Sequence, residues 1–328
     1  MTTTASPDAR RALILLNPHA GGGRAARLYA PLAKVLGDIP RDDGEETPHF
    51  TLTDSEATAL ACIDALPARS RVVVVGGDGT LNLLLPALLR SGHSLGLVPA
   101  GSGNDTARAL GLRGMACDAA LRLALSGDAM PIDVGEAVFD LPQGRQIVPF
   151  LSSLTAGFDS AVGLRAINGP RWLHGLPRYL LATFGELAAL RNWPLQVTTD
   201  GEVIHNGPAL FASTLNTPTF AAGMPAVPQA RNDDGALDLL LAGAFGRAGT
   251  LRVLPLLLAG RHLGQPNVRT RAFRRMVISS PELVPLAADG EYLGEAKKIT
   301  VNVRPGALRV VHNPATLCSA PCTRTTSV

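Results

Sequence analysis

Residues 72–85 read VVVVGGDGTLNLLL. Four valines run into Gly76-Gly77-Asp78-Gly79-Thr80, and leucines at helical spacing follow. A short, continuous apolar run predicts a strand buried on both faces. The helix that starts directly after it marks the glycines as a strand-to-helix turn. Glycine there permits positive φ and close approach of the backbone to a bulky anion. The following helix aims its free N–H groups and positive dipole end at the same place. Asp78 does not belong to that picture, because a lone carboxylate repels phosphate. It makes sense if it acts through a divalent cation or accepts the proton of an attacking hydroxyl. A plain helix N-cap is the alternative.

Two more junctions of this design flank the first, NPHAGGGRA (17–25) and PAGSGND (99–105). The spacing predicts strands over 11–18, 49–53, 71–75 and 95–101, and helices over 24–36, 55–66, 80–89 and 104–112, with Ser55 as an N-cap. Alternation at this pitch is that of a doubly wound, parallel α/β domain, spanning residues 1–132. All three loops would then open beyond the carboxyl ends of the strands, the edge where such sheets bind ligands. Neither a Walker ending nor a well-placed GxGxxG is present, so a P-loop NTPase and a Rossmann dehydrogenase are not supported.

After IDVG (132–135) the texture becomes short β-like runs separated by turn dipeptides such as Asp200-Gly201 and Asp289-Gly290. Helical stretches near 177–191 and 247–263 interrupt them. The reading is a mostly antiparallel β-sandwich over 133–303, with 304–328 returning to the first domain. At 46% hydrophobic and 17% charged, the chain buries a core. A net charge of +3 without a dense basic block disfavours nucleic acid. The leader MTTTASPDARR lacks the apolar centre of a signal peptide, and no run approaches a membrane span. Four cysteines, two of them in a Thr/Ser-rich tail (Cys318 and Cys322), read as reduced, cytosolic thiols. The seven histidines show no metal spacing.

The ordered motifs resemble the diacylglycerol kinase catalytic-domain family, which includes bacterial lipid kinases and sphingosine and ceramide kinases. NPHAGGG, GGDGTLN and PAGSGNDTAR are similar to its nucleotide loops. FLSSLTAGFDSAV (150–162), LNTPTFAAGM with DDGALDLLL (233–241), and VPLAADGEYLG (284–294) resemble its later elements. The resemblance implies a two-domain kinase using ATP and Mg²⁺, with the lipid head group between the domains. Asn17, Pro18, His19, Ala20 and Gly21 would wrap ATP phosphates, as would Gly77, Asp78, Gly79, Thr80, Leu81 and Asn82. Ser102 takes the place of a family threonine, and Thr53 is a further nucleotide contact. Glu291 falls on the family's proton acceptor, with Asp78 organising Mg²⁺ through water as the preferred division and Asp78 as base the other. Asp159 would recognise a head-group hydroxyl, or serve as a buried structural acid. A structural magnesium would use the Asp234 carboxylate and the carbonyls of Arg231 and Ala236. Leu83 stands where the family has glutamate. The expected activity is phosphorylation of a diacylglycerol-like or sphingoid lipid at a membrane surface. A cytoplasmic chain associating peripherally, with a homodimer by analogy, completes the expectation. An NAD kinase-like enzyme and a catalytically inactive lipid-binding module are the alternatives.

Overall fold

The computed structural model describes residues 11–39, 48–53, 55–170, 172–173 and 176–314. Most of the leader and the tail with Cys318 and Cys322 lie outside the described residues. By its internal contacts the chain divides into two units, Met1–Ile132 with Ala307–Val328, and Asp133–Gly306.

In the first unit, strands β1 (Ala12–Leu16), β2 (His49–Leu52), β3 (Arg71–Gly76) and β4 (Ser94–Pro99) alternate with helices. These are α1 (Tyr29–Gly37), α2 (Glu56–Asp64), α3 (Asp78–Ser91), α4 (Asp105–Ala109) and α5 (Cys117–Ser126). The strands pair in parallel in the order β2-β1-β3-β4, and the returning chain adds one more parallel contact, Val310 beside Leu95. Leu13–Leu16 and Val72–Val75 are buried on both faces, which is why they read as unbroken apolar runs. Leu32 and Leu36 of α1 share one cluster with Ala120, Leu121 and Ala124 of α5, while α2 packs with α3. The doubly wound class expected from the sequence is the one observed.

Local departures have local causes. The helix expected over 24–36 begins as a 3₁₀ turn, Arg24–Leu28. Gly21, Gly22 and Gly23 all have positive φ (62°, 70°, 85°), and no side chain caps the helix that follows them. The helix expected over 104–112 keeps only Asp105–Ala109. Ser55 does cap α2, accepting from the Thr58 amide. Helix α5 was not expected. It is closed at its C-terminal end by the buried Arg71 guanidinium, which donates to the Ala124 and Leu125 carbonyls at 3.3 and 2.7 Å.

The second unit is a β-sandwich reached through β5 (Ala129–Leu141), which hairpins with β6 (Gly144–Phe150). Then come β7 (Ser153–Ala156), α6 (Phe158–Ile167), α7 (Leu176–Leu187), β8 (Trp193–Thr199) and β9 (Glu202–Leu215). A two-residue pair, β10 (Thr219–Phe220) and β11 (Met224–Pro225), precedes β12 (Leu237–Gly243), α8 (Arg247–Leu258) and β13 (Val268–Phe273). Long strands β14 (Arg275–Ala288) and β15 (Glu291–Val311) follow, and β15 leaves the unit after Gly306. The order is β13-β12-β9-β7-β14-β15, antiparallel at every step, with β8 bridging β14 and β9, also antiparallel. Phe150, Leu154, Trp193, Leu237, Phe273 and Ile278 lie in its core. Strand β13 escaped the sequence reading because its arginines, Arg269 and Arg271, alternate outward on an edge. Helix α6 escaped because it follows a strand of only four residues.

Candidate active site

The strand order reverses between β1 and β3, since β2 lies on one side of β1 and β3 on the other. The loops after these two strands therefore open at the switch point of the sheet. Each touches the other, and both touch the loop after β4. The Asn17 Nδ2 donates to Thr80 Oγ1 at 2.9 Å, and its Oδ1 accepts the His19 amide at 3.0 Å. A methyl group on Gly21 would sit 2.3 Å from the Ala100 carbonyl oxygen. One on Gly77 would sit 2.6 Å from the Gly101 Cα, and one on Gly101 2.5 Å from the Gly77 Cα. Gly77 has φ −121°, so it is extended, not left-handed. The structural demand on this pair is two backbones in contact, a reason the sequence reading did not supply.

Asp78 is the first residue of α3, and Gly77 occupies the cap position, so the carboxylate is not the N-cap of its own helix. It reaches across to the next loop. Its Oδ2 accepts the Asp105 amide at 3.0 Å and its Oδ1 the Thr106 amide at 3.1 Å. These amides open α4, where a carboxylate also meets the helix dipole. Asp78 thus ties the second loop to the third. Asn104, at φ 55°, closes the third loop by bonding both ends of the Gly101 peptide. Asp105 pairs with Arg108 at 2.6 Å. Neither Asn104 nor Asp105 was assigned a role from sequence, although both stand in the quoted PAGSGND motif.

The remaining first-unit candidates are placed as follows. Pro18, Ala20 and Gly21 are partly buried, while His19, Gly79 and Ser102 are exposed. Leu81 is buried in the core, so its part in the loop is its backbone. Thr53 is buried, and its hydroxyl donates to the Leu16 carbonyl at 3.3 Å. Its hydroxyl therefore serves the backbone after β1. Asn82 keeps a buried Nδ2 with no acceptor among the described residues. A buried donor of this kind calls for a partner. Leu83 is exposed on α3.

In the second unit Asp159 is buried on α6. Its carboxylate accepts the Ser213 hydroxyl and the Ser160 amide, and burial pushes its pKa up to about 6 against those bonds. It borders an almost wholly apolar cavity of about 80 Å³, lined among others by Phe158, Tyr179, Leu210, Phe220 and His262. His262 has its Nε2 2.8 Å from the Ala226 carbonyl, which can only accept, so Nε2 carries the proton. Burial lowers its pKa.

Asp234 is exposed, with Oδ1 accepting the Ala236 amide at 3.2 Å. Asp233 is held by the Arg231 guanidinium at 2.9 and 3.0 Å. The loop is pinned from behind by Asp133, read in the sequence only as part of a boundary. Its buried carboxylate accepts the Gly235 amide at 2.6 Å and the Gly306 amide at 2.9 Å. Glu291 opens β15 opposite Ala288, is exposed, and follows the Asp289-Gly290 turn.

The family model of the diacylglycerol kinase catalytic domain matches residues 11–137, and that of the YegS C-terminal NAD kinase beta sandwich-like domain matches 152–312. A Mycobacterium tuberculosis diacylglycerol kinase is 30% identical over 300 residues, 90% of this chain and 93% of that protein. The chain belongs to the diacylglycerol kinase catalytic-domain family. It is thus a kinase of the lipid-kinase class. A Pseudomonas aeruginosa protein named "Probable lipid kinase YegS-like" is 31% identical over 94% of this chain and 96% of its own length. Among solved structures, a Bacillus anthracis diacylglycerol kinase has TM-score 0.64 at 19% identity, covering 93% of this chain and 98% of that one. An Archaeoglobus fulgidus NAD kinase in complex with ATP has TM-score 0.51 at 12% identity over 93% and 94%. At those identities the two structures speak for the fold of this family member.

Proposed function

We propose that this family member transfers the γ-phosphate of ATP to a hydroxyl of a diacylglycerol-like or sphingoid lipid, with Mg²⁺. The observation that carries the reading is the mutual fastening of three glycine-bearing loops at the switch point of the parallel sheet. Phosphates bind such loops through backbone N–H groups and helix N-termini. Asn17 to Gly21, Gly77 to Asn82, and Ser102 hold the triphosphate, and the buried Nδ2 of Asn82 supplies an unused donor beside it. Thr53 acts by placing Leu16 and the loop after it.

Phosphoryl transfer asks mainly for position and charge neutralisation. The lipid oxygen forms a bond to the γ-phosphorus as the bond to the β–γ bridging oxygen breaks and ADP departs. The hydroxyl proton passes to the Glu291 carboxylate. Asp78 has both oxygens on amides of the neighbouring loop, which favours Glu291 for that proton. Asp159 sits beside the apolar cavity and orders the head group.

For a resident cation, no group of three or more His, Cys, Asp or Glu side chains suits one among the described residues. The Asp234 carboxylate with the carbonyls of Arg231 and Ala236 is an all-oxygen set on a loop braced by Asp133. That chemistry fits magnesium, which takes one or two carboxylates and keeps several waters. A separate Mg²⁺ carried with ATP would neutralise the charge that develops on the phosphates.

The test is transfer of radiolabelled γ-phosphate by the full chain to a panel of diacylglycerol, monoacylglycerol, sphingosine, ceramide and NAD, with and without Mg²⁺. A labelled lipid that requires Mg²⁺ is the expected result. Labelled NADP would move the reading to NAD kinase chemistry, and binding of nucleotide or lipid without any labelled product would favour a catalytically inactive lipid-binding module.

Such a substrate would be met at a membrane surface, and no helix among the described residues is long and apolar enough to cross a membrane. Helix α7 buries Ala182, Thr183 and Leu187 but exposes Leu181 (49%) and Phe184 (54%), which share a face. Arg178 on the same helix donates to the Ile167 and Gly169 carbonyls and meets no carboxylate among the described residues. An apolar pair beside a cation that no carboxylate neutralises suits an anionic lipid surface. Leu181→Glu with Phe184→Glu should cut sedimentation with phosphatidylserine-containing vesicles by about tenfold or more, because two apolar anchors are lost. Unchanged sedimentation would place the contact elsewhere.

A further inference from the structure

Residues 288–291 read Ala-Asp-Gly-Glu, and the Asp-Gly pair alone signals a two-residue hairpin turn. The structure gives that turn, with φ 47° at Asp289 and 88° at Gly290, and Ala288 paired to Glu291. Any such turn accepts aspartate for its backbone conformation alone. Here the side chain does something a turn does not require. Its Oδ2 accepts the Leu151 amide at 2.8 Å, and its Oδ1 accepts the amides of Ser152 at 2.8 Å and Ser153 at 3.0 Å. The Asp289 amide donates in return to the Ser153 carbonyl at 2.9 Å.

Those three consecutive amides belong to residues only 2–5% exposed, running from the end of β6 into the first residue of β7. Left without an acceptor, each would cost free energy, and bonds to a carboxylate are stronger than neutral ones. The platform is braced from its other side. Asn216 donates its amide to the Ser152 carbonyl at 2.8 Å and its Nδ2 to the Leu151 and Asp133 carbonyls at 2.9 Å each. The Ser152 hydroxyl is 2.9 Å from that of Thr217. An exposed hairpin tip ordinarily moves. This one is fastened by four hydrogen bonds, two residues before Glu291.

We infer that Asp289 is a positioning residue for the transfer reaction: its carboxylate, seated on the Leu151–Ser153 amides, fixes the turn that presents Glu291. The inference rests on Glu291 as proton acceptor. Its chemical sense is that a base must lie within hydrogen-bond reach of the hydroxyl it deprotonates, and an ångström of misplacement costs on the order of 100-fold in rate.

The experiment is a double-mutant cycle on the full chain, using Asp289→Asn and Glu291→Gln with the lipid that the panel assay labels. Asn-Gly is a favoured dipeptide for the same turn, so Asp289→Asn preserves the hairpin. It loses the charge and sets an N–H₂ group against one of the amides. Asp289→Gly, which keeps the turn and admits water to the amides, is the second variant should the first not stay folded by circular dichroism. The expected result is a fall in kcat on the order of 100-fold with KM for ATP changed by less than about twofold. In the Glu291→Gln background the same change should lower residual kcat no further, because a residue that acts through another has nothing left to position. Multiplicative losses, or a rise in KM with kcat intact, would overturn the inference and leave Asp289 a structural residue. Full activity of Glu291→Gln alone is a separate outcome, which removes the base assignment and this inference together.

Discussion

Glu291→Gln is expected to lower kcat for lipid phosphorylation by about 10²- to 10⁴-fold, the range that a positioned general base contributes. Glutamine has the same shape and keeps the strand opposite Ala288, so the hairpin survives. It cannot accept a proton at neutral pH. A base acts on the lipid hydroxyl and holds no group of the nucleotide, so ATP affinity should not move. Calorimetric titration of ATP beside labelled-phosphate transfer separates the two effects. A variant that transfers phosphate at the parental rate would return the base role to Asp78, the other carboxylate that the motifs single out.

Asp78→Asn carries the second large effect, with a different signature. The carboxylate accepts two amides at the start of α4, and asparagine can satisfy only one while its N–H₂ group opposes the other. A hydrogen bond to a charged group contributes about 1.5–3 kcal/mol, so losing one is worth roughly 10- to 150-fold. That loss falls on the join between the second and third loops. A loop tie therefore predicts a rise in KM and Kd for ATP together with reduced kcat/KM. A general base predicts lower kcat with ATP affinity unchanged. Parental affinity with a dead transfer step would contradict the tie.

The two predictions differ because the two acids sit in different surroundings, and only part of that difference was legible beforehand. Glycines and Asp78 marked a strand-to-helix junction correctly, since hydrophobic period and turn residues act over a few neighbours. The doubly wound domain followed from three such junctions in a row, and the sandwich from short runs between turn dipeptides. Elements whose signal is not periodic were missed. Helix α5 rests on an alanine face and a distant arginine, and β13 shows charges because it is an edge. Asp133 looked like a boundary residue, and its buried carboxylate is defined by partners 102 and 173 positions away.

Sequence by itself determined the strands and helices that carry a periodic signal, the turns between them, and that glycine-bearing loops follow β1, β3 and β4. Those properties depend on backbone sterics and on side-chain period, both local. Tertiary structure alone decided what each polar group faces. Asp78 meets amides 27 and 28 residues on, Gly77 touches Gly101, and Asp289 seats amides 136 to 138 residues back. A carboxylate's role is set by the donors around it, and chain folding brings those donors from sequence distances that no local pattern encodes.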